Sequence, residues 1–491
     1  MKTILHLILI FTSFTVTGME PAQQNNGSND TAFWKEGPPL SGKTWGPVTV
    51  SYNGYVYVLG GYQNYLPLAN VQYAKAGANG ALNDWQATTA LPAPAVGLQA
   101  VAFNGYLYAV GGFSAPGTDK SVYYTKIKSD GTLGTWLSAS SLNSSRYAFG
   151  LTISDGYLYA VGGLGARNFH GLASTEYVKI KADGSLDSWT TSTHHLPYGI
   201  RHLSLVAHNG YLYAAGGITC GGVYICGITG KGMQDLPNVR YAKIGSDGAP
   251  AAWQDAASMQ VPRAEFGLIA LNNKLFAIGG KFFDAMRAYA LSSVEAIELG
   301  DTGLEGAWHF APPLPAPRMG FGTAASNGYI YAVAGGTFSH VYGDTIYTDT
   351  SQYHCENAIA KGDISQCYYG PDGTQYGITS KLQTWEKQKA LASALGGNLA
   401  SVRSSAENKG IMNNLATTNE VWIGYHYNAQ LESWAWADGS DASYTNWAAG
   451  EPNHRTSEHC ATLFSKQYKT PGQWRNIPCS PSNLLAIIEW R

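Results

Sequence analysis

The chain has 491 residues, 13% of them charged, with a formal net charge of −2. That length exceeds one ordinary hydrophobic core, so at least two domains are expected. The weak charge leaves no electrostatic footprint for nucleic acid or an anionic membrane, while 58 glycines and 32 tyrosines favour tight turns and strands.

The first eighteen residues read as a signal peptide: basic Lys2, a mostly apolar run from Ile4 to Val16, and small residues at Thr17-Gly18. The run is too short to span a bilayer as a helix, which takes about 20 residues. No later segment is longer and as apolar, so no transmembrane segment is expected. Residues 19–32 read as a linker, and the mature protein as secreted and extracellular. The six cysteines, Cys220, Cys226, Cys355, Cys367, Cys460 and Cys479, are an even set in an exported chain and point to disulfides. Fifteen connectivities exist for six cysteines, and the spacings favour neighbours. The absence of CxxC and of clustered histidines argues against a structural zinc site.

From Phe33 to Gln366 the sequence repeats. Gly-Tyr-Leu-Tyr-Ala-Val-Gly-Gly ends at Gly112 and again at Gly163, and variants end at Gly61, Gly217, Gly280 and Gly336. The gaps are 51, 51, 54, 63 and 56 residues. Tyr73, Tyr124, Tyr177 and Tyr241 each precede a glycine by seven residues, and a tryptophan (Trp85, Trp136, Trp189, Trp253) follows that glycine by five. A fifth copy has Ala296, Gly303 and Trp308; a sixth reads Tyr353, Gly362 and then Cys367 where tryptophan is due. Trp34 precedes Trp85 by 51 residues, so the N-terminal strand is expected to supply the missing element. A period of this size means stacked supersecondary units. Alternating apolar residues fit four short strands per unit, and a radial array of such sheets is a propeller.

Arg146, Arg263 and Arg318, each ten residues after a repeat tryptophan, are expected to bond backbone carbonyls near the channel. Cys220 and Cys226 bracket an insertion in the fourth copy, which a local disulfide would brace. Insertions on one propeller face often form its binding face.

The Gly-Gly, Tyr and Trp signature resembles the kelch repeat. The resemblance implies an all-β six-bladed kelch-type propeller over residues 33–366, closed by a strand exchanged between the chain's ends. It also implies a scaffold or binding surface, with a protein ligand on one face. Catalysis is not expected. Sialidase Asp boxes have Gly three residues before Trp, whereas the interval here is five, as in Gly131 to Trp136. The Tyr-His pairs, Tyr353-His354 and Tyr425-His426, do not match the copper site of galactose-oxidase-like propellers.

After Cys367 the pattern changes. Thr384-Trp385 opens a helical stretch from Glu386 to Leu395, and Gly396-Gly397 stops it. Ser404 to Glu407 reads as a capping box that starts a second helix running through Leu415. Then come Trp422-Ile423-Gly424, Trp434-Ala435-Trp436, Asn446-Trp447, Glu451-Pro452-Asn453, Glu458-His459-Cys460 and Trp474-Arg475-Asn476. Helices followed by an aromatic, loop-rich β region make an α+β domain. Trp422, Trp434, Trp436 and Trp447 are read as core rather than sugar platforms.

This succession resembles the C-type lectin-like domain, over residues 367–491. The resemblance implies glycan or glycoprotein as partner, a short disulfide Cys460–Cys479, and a calcium and sugar site at Glu451, Asn453, Glu458 and Asn476. The family's long disulfide maps onto Ala392 and Ile488, so apolar packing is expected to replace a crosslink worth ~4–5 kcal/mol. Cys355 and Cys367 pair either as the N-terminal hairpin disulfide of long-form members or as a staple between the domains. Ca²⁺ takes 6–8 oxygens, and adjacent sugar hydroxyls can complete its shell. A cis Glu451-Pro452 bond would aim Glu451 and Asn453 at one ion.

The family has Asn-Asp where this chain has Arg475-Asn476, and a cation beside the ligands opposes Ca²⁺. Three readings follow: a weak calcium site that binds sugar, a calcium-free loop whose Arg475 bridges Glu451 or Glu458, and a purely structural loop. The functional expectation is a secreted carbohydrate-binding protein with weak or no calcium dependence. The alternative is an extracellular protein-interaction scaffold or adhesin.

Overall fold

The inner-strand phrase sits at the heart of each repeat unit. Tyr106–Val110, Tyr157–Val161 and Tyr329–Val333 each have their last four residues buried. A computed structural model describes residues 33–490 apart from 65, 115–116, 167–170, 221–232, 284–287, 301–302, 350–357, 360, 371–373, 417–418, 430–431, 454–456 and 482. The expected signal peptide and linker, residues 1–32, lie outside the described residues, as do Cys226, Tyr353, His354 and Cys355. The described residues form two compact units, one of residues 34–308 and 313–350, the other of 33, 309–312 and 351–490.

Among the described residues the first unit is a six-bladed β-propeller, each blade a four-stranded antiparallel sheet. The first blade runs Val48–Tyr52, Tyr55–Leu59, Val71–Lys75 and Gln86–Ala87. The sixth runs Gly322–Ser326, Tyr329–Val333 and Thr345–Asp349, and its fourth strand is Trp34–Gly37. The ends of the repeat region therefore close the ring.

Two polar contacts recur between blades. In four blades the second tyrosine of the inner strand donates to the carbonyl of the next blade's repeat glycine: Tyr57 to Gly131, Tyr108 to Gly184, Tyr159 to Gly248 and Tyr331 to Gly80, all at 2.8–2.9 Å. Those glycines must stay bare. A Cβ on Gly131 would come within 2.5 Å of the Tyr55 ring, and its φ is +82°. Four repeat indoles also bond the stretch after the preceding tryptophan, whereas Trp253 donates to Thr175 Oγ1. Trp136 donates to Thr89, Trp189 to Ser140 and Trp308 to Ala257. Trp85 donates to Pro38, the same offset from Trp34, so Trp34 holds a full repeat position.

One element of the sixth copy differs from the sequence reading. Tyr347, not Tyr353, is the repeat tyrosine: it pairs with Lys35 as Tyr124 pairs with Leu137. The tryptophan comes from the other end of the chain, so spacing within the copy could not fix the register.

The three arginines do bond carbonyls, at Gly162, Gly279 and Ala334, each at 2.7–2.8 Å. They also have acidic partners that spacing did not reveal. Arg146 pairs with Glu176 and Arg263 with Glu295 at 2.5 Å, all four side chains fully buried, and Arg318 pairs with Asp344. Glu176 accepts as well from the backbone N–H of Asn143 and Ser144, tying a loop to a strand. Each of the three guanidinium groups still keeps its Nε buried without a hydrogen-bond partner, a cost the pairing has to offset.

In the second unit α1 (Trp385–Ala394) starts at the Thr384 cap, and α2 (Ser405–Asn414) at Ser404, whose hydroxyl accepts from Glu407 N–H. Glu407 reaches back to the N–H of Arg403, one residue before the cap. Strands Val421–Asn428, Ser433–Trp436, Cys460–Leu463, Trp474–Ile477 and Leu485–Trp490 belong to one mixed sheet. Ala392 and Ile488 are fully buried in one apolar cluster, so packing occupies the place of the long disulfide.

Candidate functional site

Strand Trp474–Ile477 pairs with Cys460–Leu463 in the register Asn476 with Ala461 and Arg475 with Thr462. Successive side chains on a strand point to opposite faces. Trp474 and Asn476 are accordingly buried, while Arg475 and Ile477 are half-buried. Trp474 anchors the strand: its indole N–H donates to Asn408 Oδ1 at 2.8 Å, and its backbone bonds Asn446 and Ala448. The Cys460–Cys479 disulfide, with Cα atoms 5.1 Å apart, ties the ends of the two strands together. Cys220 and Cys367 are also disulfide-bonded, and their expected partners Cys226 and Cys355 lie outside the described residues.

Beside this strand runs the Glu451–Asn453 loop, with a cis Glu451-Pro452 bond. Asn453 donates through Nδ2 to Glu451 Oε1 at 3.0 Å and through its backbone N–H to Asn476 Oδ1 at 2.9 Å. Asn476 in turn donates from Nδ2 to the carbonyls of Asn453 (2.5 Å) and Glu458 (2.9 Å). The four sequence-selected residues are thus brought together, Glu458 through its backbone carbonyl.

Arg475 requires a correction. It bridges neither Glu451 nor Glu458. Strand alternation turns it to the opposite face, where Nε and Nη2 donate to Glu420 at 3.0 and 2.5 Å. Thr462 donates to the same carboxylate at 2.9 Å. The hydrogen bonds from Arg475 to Glu420, and secondarily the carboxylate's charge, push the guanidinium pKa up from its ordinary value. The cation is therefore paired away from the loop carboxylates, although the charge of Glu451 still reaches it.

The donor set as arranged does not fit Ca²⁺. Asn476 turns its amide hydrogens to the Asn453 and Glu458 carbonyls, and its Oδ1 already accepts a backbone N–H, so its side chain is committed to the loop. Among the described residues no group of three or more His, Cys, Asp or Glu could hold a metal. A carboxylate at position 476 could not make the two donated bonds, so asparagine ties the loop without an ion.

Of the tryptophans, Trp422 and Trp436 are core. Trp434 and Trp447 pack against the core only in part, edge to face at 4.8 Å. Tyr427 and His459 stack beside them with ring centroids 5.7 Å apart.

Glu420 escaped the sequence reading. It precedes the Trp-Ile-Gly strand with no motif of its own, and only cross-strand register relates it to Arg475. Asn408 likewise lies in mid-helix, where nothing marks it as an indole acceptor.

Residues 381–486 match the family described as "Lectin C-type domain". Ladderlectin of Oncorhynchus mykiss is 31% identical over 145 residues, 27% of this chain and 73% of that protein. The mannose-binding protein and the hepatic lectin of Gallus gallus are each 34% identical, over 102 and 113 residues, 21% and 22% of this chain. The match spans 38% and 51% of those two relatives. The solved structure titled "Structure of YjhT" superposes with a TM-score of 0.50 at 14% identity, covering 70% of this chain and 97% of that one. That likeness bears on the fold alone, and the six blades are compatible with the kelch resemblance.

Proposed function

From the premise that the chain belongs to the C-type lectin family, we propose that it is a secreted, non-catalytic protein that recognises glycans through its C-terminal unit with little or no dependence on Ca²⁺. The contact surface is the loop of Glu451 and Asn453 with Glu458 and Asn476, and the kelch-type propeller carries it. The reading rests on one observation above all: Asn476 donates to the Asn453 and Glu458 carbonyls while accepting from Asn453 N–H. A loop tied in this way is preformed without a cation, and preformed sites spend less binding energy on ordering. The lectin relatives support a glycan partner, and the disulfides fit an oxidising compartment.

Glycan-array binding of the full chain, in Ca²⁺ and in chelator, tests this. Binding retained in chelator supports it. Binding abolished by chelator, or found on no glycan, overturns it, and the second outcome favours the protein-interaction scaffold.

A further inference from the structure

Around the propeller axis each blade places one residue in the left-handed backbone region. The six are Gly46, Gly97, Ala148, His202, Glu265 and Gly320, with φ of 63°, 61°, 51°, 54°, 52° and 56°. They are linked by backbone bonds: Gly46 N–H to Gly320, Gly320 to Glu265, Glu265 to His202, His202 to Ala148, and Ala148 to Gly97. Four positions of this ring are small, as such a backbone requires. Two neighbours are a histidine and a glutamate, for which the conformation is strained. Strain of roughly 1–3 kcal/mol per residue persists where something over-determines it, often at a functional site.

Those two side chains meet a polar group found nowhere else on the ring. Lys281 Nζ lies 2.6 Å and His202 Nδ1 3.4 Å from Glu265 Oε1. Asp235 stands on the hairpin strand Gln234–Asp235 and accepts from Phe283 N–H at 2.6 Å through Oδ2. Its other oxygen is buried without a hydrogen-bond partner. Tyr147 closes the side next to His202, with ring centroids 6.4 Å apart, and Phe113 packs on Tyr147 at 5.8 Å.

The His202 and Glu265 side chains keep 20% and 16% of their surface accessible. Burial pushes the imidazole down to about 3. At Glu265 burial pushes the carboxyl up, but the charges of Lys281 and His202 outweigh it and hold the group below its ordinary value. His202 and Glu265 are thus partly accessible yet desolvated, as side chains facing the space around a propeller axis would be. Around it stand Arg201 and Lys281 as cations, against Glu265 and, once ionised, Asp235 as anions. The formal charges cancel.

We propose that this axial recess, between Tyr147 and Lys281 with His202 and Glu265 on its wall, binds a small neutral polyhydroxyl ligand of monosaccharide type. Carboxylates accept from hydroxyls, cations donate to them, and neutral imidazole does either. Aromatic faces on one side with a few fixed polar groups on the other are the usual lining of a small-molecule site. An anionic ligand would find no net positive charge. The proposal is independent of the C-terminal loop.

The test uses the full chain carrying Glu451→Ala and Asn453→Ala, which removes the loop's sugar-facing groups. Saturation-transfer NMR is run with mannose, galactose, glucose and N-acetylglucosamine, and with glucuronic acid as the charged control. At least one neutral sugar should show transfer. Adding His202→Gly should weaken binding at least tenfold without lowering the thermal midpoint, because glycine fits φ 54°. Adding Glu265→Gln should weaken it as well, by neutralising the wall. Transfer to no neutral sugar, or to glucuronic acid alone, overturns the proposal. So does binding indifferent to both substitutions, or a midpoint lowered by His202→Gly, which would make the histidine a structural residue.

Discussion

In the propeller Arg146 and Arg263 are wholly buried, and each is spent on one carboxylate, one strand carbonyl and one seryl residue. In the C-terminal unit Arg475 keeps 39% of its side chain exposed and serves a carboxylate that is 9% exposed. The first arrangement recurs with the repeat, so each copy testifies to the others. The second occurs once. The contrast teaches that polar groups with identical chemistry hold a fold together in one region and merely decide which face of a strand is free in another.

Removing the N-terminal strand attacks the repeated arrangement at its seam. Deleting residues up to Pro38 takes away Trp34–Gly37 and one of the two acceptors of the Trp85 indole. It leaves Thr345–Asp349 as an open edge. Loss of soluble monomer is the expected result, measured by size-exclusion chromatography with light scattering. A truncated chain that stays monomeric with unchanged melting would break the comparison at its root.

The next largest effect is Arg263→Ala. It strands the Glu295 carboxylate, fully buried, and should cost ~3–5 kcal/mol in chemical denaturation. Arg475→Asn should cost less, about 1–2 kcal/mol, because Glu420 retains Thr462 and the 39% exposure of Arg475 lets water take its place. Equal losses in the two variants would erase the distinction drawn between the regions.

Between those lies a pH effect in the propeller. Burial pushes the Asp235 carboxyl up to about 6. A carboxyl that holds its proton more tightly when folded stabilises below the unfolded value near 4, and that stabilisation is lost as pH rises through about 6. Asp235→Asn should therefore raise stability at pH 7.5 by on the order of 1–3 kcal/mol, with the gain shrinking towards pH 4. Thermal melts at the two pH values check it; a gain that is larger at pH 4 would reverse the sign.

Periodicity made much of the fold legible. Trp34 at one repeat before Trp85 predicted the closing strand, and cap residues Thr384 and Ser404 located both helices to within a residue. The sixth tyrosine was misplaced because its copy borrows a strand, so nothing within it fixes the register. At the candidate site the grouping of Glu451, Asn453, Glu458 and Asn476 was legible, as was the cis bond. The partner of Arg475 was not. Choosing between Glu451, Glu458 and Glu420 requires knowing which strand lies alongside, and register across a sheet is a tertiary fact. The axial ring was hidden for a similar reason: His202 and Glu265 stand 63 residues apart, and only the backbone angle they share with four small residues marks them as equivalent.

Calorimetric titration of Ca²⁺ into the wild-type chain and the single variant Asn476→Asp tests the central claim most directly. The claim is that an asparagine amide, and not a nearby cation, makes the loop independent of metal. The wild type should bind no tighter than the millimolar range of weak extracellular sites. Asn476→Asp should bind at least tenfold more tightly, because it removes two donors and adds a carboxylate, while Arg475→Asn alone should change little. Submicromolar binding by the wild type, or a gain from Arg475→Asn that equals the gain from Asn476→Asp, would contradict the account.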